Sequence, residues 1–269
     1  MKKNITIYTL LALISLLVLT ISGMVSGVKG DMLYMIAFAL PVLFGAVYAD
    51  SDREQRESIM GAREIRQPLF RIRVKYATAL APVVFPFVSL MLTVSYITSL
   101  VLIKFGVHVS PNPDSSFLYM TVAYAIAPAF LEEMLFRYLP LRLIAPYSRR
   151  TAVLISSVYF SVFHMDIAKM PYALIAGVIL MAVDVASESV LPSVALHLIN
   201  NIVSVIWIKS EGNEHYTKAL ICFISAVTLI SLAWIAIGAR KYVKKLKLAF
   251  REDGIARYEI MYEDGNSDE

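Results

Sequence analysis

Cysteine is nearly absent from this chain. Cys222 is the only one in 269 residues, which excludes an internal disulfide framework and any cysteine-based metal cluster. Charge is scarce as well: Asp, Glu, Lys and Arg make up 17% of the residues, against about a quarter in a soluble domain. The basic residues form no Lys/Arg-rich face interleaved with aromatics, which argues against a nucleic-acid partner. No internal repeat is visible.

What the chain has in abundance is apolar sequence, 58% of it, gathered in long runs that point to lipid as the solvent. Residues 5–28 carry no charge and follow Lys2 and Lys3. The small flank at Ser22 and Gly23 would also suit a signal peptide, but the run is long enough to span and more spans follow. An uncleaved first helix is therefore expected. Further spans are predicted at 32–49, 76–103, 117–136, 189–208 and 219–239, with two short ones at 151–163 and 170–183. Residues 50–75 read as a charged cytosolic loop, 137–150 as a basic interfacial segment, 184–188 as a short inner turn, and 240–269 as a cytosolic tail.

The expected fold class is all-α: a polytopic membrane protein with about eight transmembrane helices in one integral membrane domain, 1–269. Eight spans with an inner N-terminus place 20 of the 25 Lys and Arg residues on the inner side. That asymmetry predicts both termini in the cytosol.

Polar residues inside such runs cost roughly 2.5–3.5 kcal/mol each and are functional candidates by default. Glu132 and Glu133 are adjacent, so a helix points them about 100° apart. Glu133 and Arg137 stand at i,i+4 and can pair along one face. Glu132 is then the less neutralised carboxylate, a candidate base. A snorkelling arginine at the interface is the simpler account of Arg137. His164 ends an aromatic stretch and could equally be an interfacial histidine. His197 lies among apolar neighbours, with Asn201 one turn on along the same face; helix-to-helix hydrogen bonding is the plainer account of that pair. Asp184 and Glu188 are assigned to the inner turn, and His108 and His215 to solvated outer loops. Counting along the chain from Arg150 puts His164 much deeper than Glu132 and His197, if Arg137 marks the inner face.

Three motifs then stand in order: AIAPAFLEEMLFRYLPL, LISSVYFSVFHMD and VLPSVALHLINN. Glu-Glu-x-x-x-Arg, Phe-x-x-x-His and His-x-x-x-Asn, each inside a predicted span, resemble the CAAX protease and bacteriocin-processing (CPBP, or Abi) family of intramembrane proteases, and the layout resembles its Rce1-like branch. The resemblance covers about residues 123–203. It implies that Glu132 activates water, that His164 assists, that His197 and Asn201 hold the oxyanion, and that Glu133 and Arg137 support Glu132. A divalent metal, zinc on Glu132, His164 and His197, stays open as an alternative cofactor. The implied partners are membrane lipid and a membrane-anchored or prenylated peptide substrate. Neither His-Glu-x-x-His nor Gly-x-Ser-Gly is present. Two non-proteolytic readings remain: an immunity or binding protein of the same fold, and an ion or proton transporter using the buried acids and histidines as a relay.

Overall fold

The computed structural model describes residues 1–25, 28–60, 74–105, 116–187, 189–210 and 213–251. They form eight helices: α1 (Lys2–Met24), α2 (Val28–Met60), α3 (Val74–Lys104), α4 (Phe117–Leu143), α5 (Arg149–Phe163), α6 (Met170–Ser187), α7 (Leu191–Ser210) and α8 (Glu214–Arg251). Seven are long and apolar enough to cross a membrane. The exception is α5. Its 15 residues rise about 22 Å, short of the hydrocarbon core of about 30 Å.

The expected all-helical membrane architecture is thus what the chain adopts, with several boundaries moved. The fourth span does not end at Phe136 but continues through Arg137 to Leu143, so Arg137 belongs to the helix and not to an interfacial loop. Residues 184–187 belong to α6 and are no turn. Helix α2 runs on to Met60, into the expected charged loop, and α8 runs on to Arg251, into the expected tail. Residues 61–73 of that loop, 252–269 of that tail, Glu188 and His108 lie outside the described residues.

The packing logic is that of lipid rather than water. Along α1 the buried stripe is Asn4, Tyr8, Ala12 and Ser15, spaced by three or four residues, while Leu10, Leu13 and Leu17 face outward. Small and polar side chains let helices approach, and large apolar ones meet the acyl chains. Helix α5 lies against α6 on the same principle. A Cβ added to Gly177 would stand 2.9 Å from the Ser157 Cα, so only glycine permits that approach. At one end of the bundle Asn4 donates to the Leu143 carbonyl and to Asp52, both at 3.0 Å, and accepts from Tyr48 at 3.2 Å. These bonds tie α1 and α2 to the end of α4.

Helix α4 is irregular for a reason written in its prolines. It widens into π turns at Thr121–Ile126 and Met134–Tyr138, where Ala127 N–H reaches Val122 O and Leu139 N–H reaches Met134 O. Pro128 and Pro140 each follow two residues later. A proline has no N–H, so the carbonyls four residues back, of Tyr124 and Phe136, lose their usual helical donor. The Phe136 carbonyl is instead met by the Ser156 hydroxyl from α5 and by Arg137 Nη1 at 3.2 Å. Helix α7 sits at the centre, packed against α3, α4, α6 and α8, which is how a histidine on it can be enclosed.

Candidate active site

The two glutamates are divided as their 100° separation predicts. Glu133 is fully buried, as is Arg137, and the two meet at 3.0 Å between Oε2 and Nε. Their contact is a charge pair rather than an aligned hydrogen bond. Arg137 does not snorkel. Its Nη1 donates to Ser156 Oγ at 3.0 Å, and its guanidinium lies 4.6 Å from the centre of the Phe160 ring.

The other Glu133 oxygen, Oε1, stands 2.8 Å from Nδ1 of His197. A carboxylate there makes Nδ1 the donor and fixes the tautomer, leaving Nε2 to face outward from the pair. What it faces is Glu132: His197 Nε2 and Glu132 Oε2 are 4.0 Å apart. That is too long for a hydrogen bond and short enough for one water to touch both. Glu132 retains some exposure, 15% of its side chain, whereas Glu133 has none.

Four of the residues singled out by sequence therefore converge: Glu132, Glu133, Arg137 and His197. His164 stands one ring away. Its Nδ1 is bonded to the Phe160 carbonyl at 2.8 Å, and its imidazole packs edge-on to Phe160 at 4.9 Å. The same Phe160 ring meets His197 at 5.7 Å. Asn201 lies one turn beyond His197 on α7, half-buried, its Oδ1 3.5 Å from the Nδ2 of Asn200.

The depth mismatch for His164 came from ending the fourth span at Arg137. Because α4 continues to Leu143, Glu132 is eleven residues from its end, about 16 Å, and His164 is fifteen residues from Arg149, about 22 Å. The difference in depth narrows to about 6 Å, roughly one helical turn.

Three contributors escaped the sequence reading. Tyr34, on α2, donates its hydroxyl to Glu132 Oε1 at 2.9 Å. Nothing local marks it, since the contact spans 98 residues. Phe160 is the first residue of the Phe-x-x-x-His motif, so its signal was present. Asp184, assigned to a short inner turn, is fully buried and accepts the Ser193 N–H at 3.0 Å. It thereby caps the first turn of α7, the helix that carries His197. Asp184→Ala should lower stability by about 1–2 kcal/mol, read as a thermal shift in detergent, while Asp184→Asn keeps an acceptor and most of the stability.

The zinc set allowed by the sequence is not assembled. Among the described residues no three His, Cys, Asp or Glu side chains gather closely enough to hold an ion. Glu132 and His197 approach each other, while the bonds at His164 Nδ1 and Glu132 Oε1 orient those two side chains without involving His164 Nε2 or Glu132 Oε2.

Eight packed helices, seven able to span, enclosing an acid–arginine–histidine cluster, define a multi-pass integral membrane protein with a built polar site. Residues 114–203 match the family model Rce1-like, described as type II CAAX prenyl endopeptidase Rce1-like. That stretch includes every site residue selected from sequence, and at the level of the family it supports a CAAX-type intramembrane protease. No curated protein and no solved structure matches the chain.

Proposed function

We propose that the protein is an endopeptidase that hydrolyses a peptide bond near the cytosolic face of the membrane, in a prenylated, CAAX-like substrate. The observation that carries this reading is the unequal treatment of the two glutamates. Glu133 is neutralised by Arg137 and bonded to His197, while Glu132 presents one oxygen across 4.0 Å to His197 Nε2.

Water held in that gap, with His164 nearby, would lose a proton to Glu132 as its oxygen adds to the substrate carbonyl. The carbonyl oxygen then becomes an oxyanion facing His197 and Asn201. With Nδ1–H given to Glu133, donation from His197 Nε2 requires the doubly protonated ring, and Glu133 and Glu132 together then balance Arg137 and that ring. The proton taken by Glu132 passes to the departing amine as the C–N bond breaks. Water gains the acyl group and the amine leaves neutral.

The test is cleavage of a farnesylated peptide by the purified full chain in liposomes. Release of the terminal tripeptide is expected, and it should persist in millimolar EDTA, because the site's donors do not form a metal set. No cleavage of prenylated or unprenylated peptides, together with ion flux in the same liposomes, would favour a transporter.

A further inference from the structure

We infer that Tyr34 is a positioning residue for this reaction, holding Glu132 so that a single oxygen faces the water. The inference rests on Glu132 being the base, as proposed above. Tyr34 Oη donates to Glu132 Oε1 at 2.9 Å, and the remaining oxygen, Oε2, is the one 4.0 Å from His197 Nε2. The site's donors are thus apportioned: Arg137 and His197 Nδ1 take Glu133, and Tyr34 takes Glu132.

Position matters because a glutamate side chain has three rotatable bonds, and one held at a single end can swing its carboxylate away. Tyr34 itself is not free to follow. Its ring packs on Phe38, one turn along α2, at 5.0 Å. Phe38 is buried and lies 6.3 Å from both Phe136 and Phe163. Aromatic side chains have only two torsions, and this chain of rings runs from α2 into α4 and α5. The hydroxyl is therefore fixed to the same framework that fixes Arg137 and His197. Fully packed supports of this kind hold catalytic groups within the fraction of an ångström that proton transfer demands.

A tyrosine in a helical bundle could serve packing alone, its hydroxyl bonded to whatever is near. The two roles separate kinetically. In liposomes with the farnesylated peptide, Tyr34→Phe should lower kcat about 10- to 100-fold with KM within twofold, since only the alignment of the base is lost. Its melting temperature should stay within a few degrees of wild type, because the ring is retained. In a Glu132→Gln background, Tyr34→Phe should change the residual rate by less than twofold, as there is no longer a base to align.

A wild-type kcat for Tyr34→Phe overturns the inference, as does an effect confined to KM. An equal fractional loss in the Glu132→Gln background also overturns it, since that is the mark of a packing role. Full activity of Glu132→Gln alone removes Glu132 as the base, and that single variant thus reports on the underlying reading separately from Tyr34.

Discussion

Glu132→Gln should abolish peptide cleavage, with kcat falling about 10²- to 10⁴-fold, while the protein folds and melts like wild type. The separation of activity from stability follows from the site's layout. Glu132 is partly exposed, meets His197 only across 4.0 Å, and its Oε1 accepts from Tyr34. A glutamine keeps the shape and that acceptor oxygen but cannot take a proton from water. The comparison that gives the result its meaning is Glu133→Gln. That neighbour lies wholly buried between Arg137 and His197, so its replacement should cost stability as well as activity. Rates of peptide release and thermal melting in detergent, measured on both variants, check the contrast. Retained cleavage in Glu132→Gln would end the mechanism proposed here.

Arg137→Met should destabilise the protein by about 3–5 kcal/mol, enough to remove most folded material from the membrane. The reason is what it strands. Glu133 would keep its charge in a fully buried place with its arginine gone and His197 as the charged group left beside it. Ser156 would lose an N–H donor, and the Phe160 ring would lose the cation stacked on it. Arg137→Lys keeps the charge without the planar fork and should fall between the two. Adding Glu133→Gln to Arg137→Met removes the stranded charge, so the double variant should be more stable than Arg137→Met alone. Folded yield by size-exclusion and melting temperature are the readouts. A double variant less stable than the single one would show that the pair matters for packing rather than charge.

Much of the molecule was legible one residue at a time. Long charge-free runs declare spanning helices because lipid accepts little else. The Glu133–Arg137 pair was legible because i,i+4 places two side chains on one helical face wherever that helix ends up. His197 was legible as a histidine where hydrocarbon is expected. The errors have physical causes too. Arg137 was read as the end of a span, since an arginine is costly in lipid; the structure buries it among Glu133, Ser156 and Phe160 instead. Asp184 looked like part of a turn for the same reason, until α6 carried it inward to cap α7.

The sequence by itself determined the helices, the inventory of buried ionisable groups and the face each presents, because helical periodicity depends only on neighbours within a few positions. Which groups meet across different helices was decided by tertiary structure alone. The 2.8 Å contact of His197 with Glu133 joins residues 64 apart, and that of Tyr34 with Glu132 joins residues 98 apart. Both depend on how α2, α4 and α7 pack side by side, and helix packing is set by side-chain shape across the whole bundle. No short stretch of sequence encodes it.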